Sequence, residues 1–264
     1  MRYVIVVIGC KGNAFQVKGR LTFLYLFCFL LPVYNFLLML GLMLFYCICF
    51  GNNKTADTMM TPLRYLALGD SYTIGESVAG AESFPFQTVD LLRSKGYRMM
   101  PPDIVATTGW TTGELEQGIK AAQLTGTYDV VTLLIGVNDQ YRGSPVNEYR
   151  LAFTVLLQKA VAFAGNNPSR VVVLSIPDWG VSPFAGNRDR KAIAAEIDDY
   201  NAANKAVAQS MQVPWLDITP YTREAARDPS LLAPDGLHPA GKAYARWAKD
   251  LALMLQQALQ QEKK

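Results

Sequence analysis

The chain has 264 residues, half of them hydrophobic, a formal net charge of +3 and a single histidine, His238. Five of its 25 Lys and Arg residues, but only one of its 22 Asp and Glu residues, lie in residues 1–58, which leaves 20 basic and 21 acidic residues in the remainder. This remainder has no basic tract to bind nucleic acid, and it has no cysteine, so neither a disulfide framework nor a zinc site is expected there.

The first predicted element is an uncharged hydrophobic run, Leu21–Phe50. A membrane-spanning helix needs about 20 apolar residues, and this run is longer, although Pro32 and Asn35 interrupt it. Basic residues precede the run, which predicts that the N-terminus stays in the cytoplasm and that everything after the run is exported. We therefore predict a signal or membrane-anchor segment at residues 1–58 and a folded domain at 59–264, held at the membrane or released outside it.

Several fates of this segment remain open. It could be retained as an anchor, cleaved as a signal, or processed for lipid attachment at Cys47 or Cys49. The residues before those cysteines are bulky, which disfavours lipid attachment. Translation from Met59 or Met60 would instead make residues 1–58 a mis-assigned extension and the protein cytoplasmic.

After Met60, short β-branched runs alternate with longer amphipathic stretches. The predicted strands are Arg64–Leu68, Asp103–Ala106, Val130–Ile135, Arg170–Ile176 and Val213–Ile218. The predicted helices are Phe86–Lys95, Thr112–Gln123, Asn147–Ala164, Arg190–Gln209 and Ala240–Gln260. Near-continuous apolar strands are typical of parallel sheets covered on both faces. The alternation predicts one α/β domain, with a five-stranded parallel sheet between two layers of helices.

Polar segments follow the predicted strands. They are Gly69-Asp70-Ser71, Thr107-Thr108-Gly109, Gly136-Val137-Asn138-Asp139 and, before the final helix, Asp235-Gly236-Leu237-His238. Each segment alone is ordinary turn or capping chemistry. In an open parallel sheet, however, ligands bind beyond the carboxyl ends of the strands. We therefore expect the four segments to meet at one edge and to form a site.

The residue types at this edge suggest acyl transfer. Ser71 would attack a carbonyl carbon, and His238 would take its proton and return it to the leaving group. Asp235, three residues before the histidine, would accept the other imidazole N–H and hold the ring in the required tautomer.

A tetrahedral oxyanion needs preorganised hydrogen-bond donors. The backbone N–H groups of Ser71 and Gly109 and the carboxamide of Asn138 are the candidates. Asp70 and Asp139 are expected to support the site by accepting hydrogen bonds from loop amides.

The four segments resemble the four sequence blocks of the SGNH (GDSL) hydrolase family, over about Leu63 to Leu255. The resemblance is greatest to the lysophospholipase-like esterase branch. It implies a flavodoxin-like three-layer α/β/α sandwich that hydrolyses carboxylic esters through an acyl-enzyme, without metal or organic cofactor. The substrates implied are small or medium acyl esters, lysophospholipid-like or acetylated. Acyl transfer to a sugar or lipid acceptor, and a non-catalytic, membrane-tethered binding module on the same fold, are the alternatives.

Overall fold

The computed structural model describes residues 61–261 and, of the earlier part, the backbone of two strands, Ile5–Ile8 and Ala14–Val17. These two strands pair antiparallel, with Ile5 opposite Val17. The hydrophobic run Leu21–Phe50 lies outside the described residues, as do the alternative starts at residues 59 and 60.

The chain divides into two compact units, Met1–Met60 and Thr61–Lys264. Among the described residues, no helix is both long enough and apolar enough to cross a bilayer.

A five-stranded parallel sheet forms the centre of the second unit. Its strands are β1 (Tyr65–Gly69), β2 (Asp103–Ala106), β3 (Val130–Leu134), β4 (Val171–Leu174) and β5 (Trp215–Leu216). Their spatial order is β2-β1-β3-β4-β5, and every neighbouring pair is parallel. This order is the flavodoxin-like one, whose direction of winding reverses between β1 and β3. The predicted fold class is confirmed.

Eight α-helices connect and cover the strands in residues 61–261. They are α1 (Ser71–Ile74), α2 (Phe84–Ser94), α3 (Thr112–Ala121), α4 (Val137–Tyr141), α5 (Val146–Phe163), α6 (Arg190–Ser210), α7 (Thr219–Arg223) and α8 (Gly241–Gln261). Helices α2 and α8 pack together as one layer, and α3, α5 and α6 pack as the other. The first and last long helices are thus neighbours, which brings the end of the domain back to its beginning.

The central strands are buried on both faces, as their composition predicts. Every residue of β1, β3 and β4 is buried. The one hydroxyl within β3, that of Thr132, is hydrogen-bonded to the Tyr65 phenol of β1 at 2.9 Å. An unpartnered buried hydroxyl would cost about 1–3 kcal/mol, so this pairing lets a polar residue occupy the middle of an apolar strand.

The long helices match the predicted ones to within two residues, but the sheet differs from the prediction at its edge. The last strand was predicted as Val213–Ile218, and only Trp215 and Leu216 pair with β4. At one end Pro214 has no N–H to extend the ladder, and at the other end Ile218 already caps α7. The short helices α1, α4 and α7 were not predicted, because four or five residues are too few to show a helical period.

Candidate active site

Ser71 lies at the carboxyl end of β1, as the first residue of α1. Asp70 caps this helix, and its Oδ1 accepts a hydrogen bond of 3.0 Å from the Tyr72 N–H. Gly69 allows the turn to be tight, because a Cβ there would lie 2.5 Å from the Leu134 carbonyl oxygen of β3. The side chain of Ser71 therefore leaves the sheet edge from a rigid, closely packed turn.

The structure brings Ser71 into contact with the only histidine of the chain, 167 residues away. His238 Nε2 lies 2.9 Å from Ser71 Oγ, and Nδ1 lies 2.6 Å from Asp235 Oδ2. Ser71 and His238 are 4% and 6% exposed, and the His238 ring packs on Tyr72 with centroids 4.8 Å apart. Three residues expected to act together thus form one hydrogen-bonded chain.

Asp235 is held by four hydrogen bonds. Oδ1 accepts from the backbone N–H groups of Leu237 and His238 at 2.9 and 3.0 Å, and Oδ2 accepts from His238 Nδ1 and from Ser77 Oγ at 2.6 and 2.7 Å. Burial alone would raise the pKa of Asp235, but the hydrogen bonds from His238, Leu237 and Ser77 together lower it to about 2. The carboxylate is therefore ionised throughout the neutral range.

An ionised Asp235 determines which imidazole nitrogen carries the proton. A carboxylate accepts and does not donate, so Nδ1 is the donor in this contact and the Nε2 lone pair faces the Ser71 hydroxyl. This arrangement can remove the serine proton and can stabilise the imidazolium that results.

The three expected oxyanion donors come from three separate segments at the same sheet edge. Ser71 N–H is the first amide of α1, and Gly109 lies in the loop after β2 with a positive φ of 82°, a conformation that glycine adopts without strain. Neither amide has a hydrogen-bond partner within the described part of the chain. Asn138 of α4 donates from Nδ2 to the Trp110 carbonyl at 2.9 Å, and because this group has two hydrogens, one remains for a ligand.

Asp139, the neighbour of Asn138, binds the start of α3. Its carboxylate accepts from Thr112 Oγ1 at 2.6 Å and from the Thr112 N–H at 3.0 Å. Burial raises the pKa of Asp139, and the hydrogen bonds from Thr112 oppose that change. The contact joins the loop that carries Gly109 to the helix that carries Asn138.

Asp70 differs from the other carboxylates of the site. Burial raises its pKa to about 8, the hydrogen bond from Tyr72 N–H acts in the opposite direction, and the charge of Asp139 adds to the rise. Its Oδ2 is buried without a hydrogen-bond partner among the described residues. Asp70 thus bonds the backbone of α1 through one carboxylate oxygen, while the other is buried without a partner among the described residues.

Three further polar residues surround the site and were missed in the sequence. Ser77 donates to Asp235, Glu76 accepts from the hydroxyl of Thr108, and Arg142 Nη2 donates to the Gly109 carbonyl at 2.7 Å. Their only signal was closeness in the chain to the first and third polar segments. In the sequence, a serine, glutamate or arginine at such a place looks the same as any polar surface residue.

No group of three or more His, Cys, Asp or Glu side chains within the described residues could hold a metal ion. The groups at this edge instead comprise a hydroxyl, an imidazole, a carboxylate and several N–H donors, which together suit general base and oxyanion chemistry.

Comparison with known proteins gives one family and many structures. Residues 67–246 match the model of the GDSL-like lipase/acylhydrolase family. A search of curated protein sequences finds no match.

Three solved structures illustrate the structural similarity. TesA is 19% identical, with a TM-score of 0.57 over 74% of this chain and 99% of its own. The psychrotrophic esterase EstA from Pseudoalteromonas sp., inhibited by monoethylphosphonate, is 18% identical, with a TM-score of 0.57 over 75% and 98%. Axe2, an acetylxylan esterase from Geobacillus stearothermophilus, is 17% identical, with a TM-score of 0.56 over 73% and 94%. At these identities the structures are evidence for a common fold.

Proposed function

The chain belongs to the GDSL-like lipase/acylhydrolase family and is a carboxylic ester hydrolase, and we propose that it cleaves small or medium acyl esters through an acyl-enzyme on Ser71. The observation that carries the proposal is the hydrogen-bonded chain from Ser71 Oγ through His238 to Asp235, at 2.9 and 2.6 Å. A serine hydroxyl is a weak nucleophile at neutral pH, and a base in this position activates it.

The reaction follows from these contacts. Ser71 Oγ attacks the ester carbonyl carbon while His238 Nε2 takes the hydroxyl proton, which gives a tetrahedral oxyanion and an imidazolium paired with Asp235. The oxyanion collapses, the alkoxide leaves with the proton from Nε2, and the acyl group stays on Ser71. Water then attacks the acyl-enzyme with His238 as base, and the carboxylic acid is released from a regenerated serine.

Stabilisation of the oxyanion is assigned to Ser71 N–H, Gly109 N–H and the free hydrogen of Asn138 Nδ2. Loss of one such donor typically costs about 3–4 kcal/mol of transition-state stabilisation. The Ser71 N–H is held by the start of α1, and the Gly109 N–H lies in a loop that is hydrogen-bonded to Asn138 and Arg142. Donors held in this way need little reorganisation during the reaction.

The test of the nucleophile is the Ser71→Ala variant of the full-length chain, purified in mild detergent. Hydrolysis of p-nitrophenyl acetate and butyrate should disappear, labelling by a fluorophosphonate probe should be lost, and the thermal midpoint should stay unchanged. A variant that keeps wild-type turnover would refute the assignment. A folded wild-type protein that neither turns over esters nor takes the label would instead favour a binding module.

The acyl and alcohol groups of the substrate are proposed from similarity alone. Axe2 is described as an acetylxylan esterase, and the sequence blocks resemble the lysophospholipase-like branch, so we include acetylated sugars and lysophospholipid-like esters among the candidates. A profile across acyl lengths, acetylated oligosaccharides and lysophospholipids would separate them. Product analysis with added sugar or lipid acceptors would distinguish hydrolysis from acyl transfer.

We also propose that the domain works on the exported side of a membrane, since the uncharged run Leu21–Phe50 follows basic residues. A C-terminally tagged protein, expressed from its native gene, should fractionate with membranes or outside the inner membrane, and protease added there should degrade the tagged domain. A tag confined to the soluble cytoplasm, on a product that starts near Met59, would contradict this location and leave the chemistry unaffected.

A further inference from the structure

The loop that carries Gly109 is fixed by side chains from outside it. Arg142 Nη2 donates to the Gly109 carbonyl at 2.7 Å, and Asn138 Nδ2 donates to the next carbonyl, that of Trp110, at 2.9 Å. Two consecutive carbonyls of one loop are therefore held by α4 and by the residue that caps its end. Glu76, which follows α1, accepts a hydrogen bond from the hydroxyl of Thr108.

The orientation of Gly109 depends on these contacts. Its φ of 82° is accessible to glycine at little cost, but glycine has no side chain to keep it there. Apart from the chain neighbours of Gly109, only Arg142 Nη2, at 3.8 Å, lies within 4 Å of the position of a Cβ among the described residues. The turn around Gly109 is closed from within by a hydrogen bond from the Trp110 N–H to the Thr107 carbonyl at 3.2 Å, and the Arg142 contact adds a restraint from outside the loop. A donor that must be preorganised for an oxyanion gains from this second restraint.

Arg142 is itself aligned by the start of α3. Its Nη1 lies 3.2 Å from Glu114 Oε2, and that same oxygen accepts from the Thr111 N–H at 2.8 Å and from Thr111 Oγ1 at 2.9 Å. The guanidinium thus connects the helix cap to the Gly109 carbonyl through two of its donors. A planar guanidinium can make both contacts at once, whereas a lysine ammonium on a flexible stem would be a poorer substitute.

We infer that Arg142 is a positioning residue for ester hydrolysis, which holds the Gly109 carbonyl and so limits rotation about the backbone of the residue whose N–H is assigned to the oxyanion. The inference rests on the proposed function of Ser71. Because the Arg142 side chain is 50% exposed and its partner Glu114 is 41% exposed, the ion pair contributes little to folding. Removal of the Arg142 side chain should therefore lower the rate of catalysis far more than it lowers the stability of the fold.

The test is Arg142→Ala in the full-length chain, assayed with p-nitrophenyl acetate. We expect kcat to fall on the order of tenfold, less than the loss from deleting an oxyanion donor outright, with KM and the thermal midpoint nearly unchanged. Guanidinium chloride at tens of millimolar, well below denaturing concentrations, should restore part of the lost kcat in this variant and none in the wild type. Arg142→Lys should be intermediate.

Arg93 offers a matched control. It is also an exposed arginine that pairs with a carboxylate, Asp90, and donates to a backbone carbonyl, that of Met99 at 2.9 Å, but it lies on α2, outside the site. Arg93→Ala should keep wild-type kcat. Wild-type kcat in Arg142→Ala, or a loss that guanidinium does not restore and that follows a lowered thermal midpoint, would overturn the inference. Retained activity in Ser71→Ala would instead overturn the proposed function, so the two failures are distinguishable.

Discussion

The Asp235→Asn variant separates the orienting role of this residue from its structural role. Oδ1 accepts the two backbone N–H groups of its turn, and Oδ2 faces His238 Nδ1 at 2.6 Å. An asparagine can keep its carbonyl oxygen at the first position, which preserves the turn, and then its NH₂ group occupies the second. That group donates to Nδ1 and forces the imidazole proton onto Nε2, where it blocks transfer from Ser71.

The expected loss of activity is much larger than the loss of stability. With the wrong tautomer, kcat/KM for p-nitrophenyl acetate at neutral pH should fall roughly 10³–10⁴-fold, which corresponds to about 4–5.5 kcal/mol of transition-state stabilisation. The lowered pKa of Asp235, from 3.8 to about 2, corresponds to at most about 2.5 kcal/mol of folding stability. Because the side chain is 29% exposed, solvent screening reduces this to about 1 kcal/mol.

The same pKa gives a pH dependence of stability with a definite sign. A carboxylate whose pKa is lowered by folding stabilises the protein above its unfolded pKa, and this contribution disappears as the pH falls from about 4 towards 2. The wild type should therefore lose its advantage over Asp235→Asn in that range, measured by urea unfolding at successive pH values.

Asp228→Asn is the matched control for Asp235→Asn. Asp228 also holds a turn amide, that of Ser230 at 3.1 Å, but does not contact His238. The Asp228→Asn variant should retain wild-type activity. Turnover of Asp235→Asn within tenfold of the wild type, with the fold intact by circular dichroism, would refute the orienting role.

Further variants test other parts of the site. Asn138→Ala should lower kcat roughly 10²–10³-fold with little change in KM, as loss of one oxyanion donor does, and steady-state kinetics would show it. Asp139→Ala leaves a buried amide and hydroxyl of α3 unpartnered and should destabilise the protein by about 2–3 kcal/mol in urea unfolding. Gly118→Ala should destabilise the protein too, because a Cβ would lie 2.1 Å from the Trp110 ring. Gly113→Ala in the same helix meets no atom of the described residues within 4 Å and should be neutral or stabilising by up to about 1 kcal/mol.

The sequence determined the layering of the domain and which residues are candidates for the site. Apolar runs such as β3 and β4 are readable because a strand buried on both faces must be apolar at nearly every position. Ser71 and His238 stand out because a serine nucleophile needs a base and the chain has one histidine. These properties belong to residue types and their spacing, so no coordinates are needed to see them.

Only the tertiary structure decided the exact ends of the strands and the contacts between residues that are distant in the sequence. Only two residues of the last predicted strand pair with β4, because Ile218 already caps the next helix, α7, which its residue type alone did not reveal. The 2.9 Å contact between Ser71 and His238 requires two loops to meet across 167 residues. Arg142 shows this most clearly. In the sequence it is an arginine like many others, and it borders the site only because its guanidinium donates a hydrogen bond to the Gly109 carbonyl. Local sequence encodes burial and secondary structure, whereas the partner of an exposed polar side chain is set by which loop the fold brings within its reach.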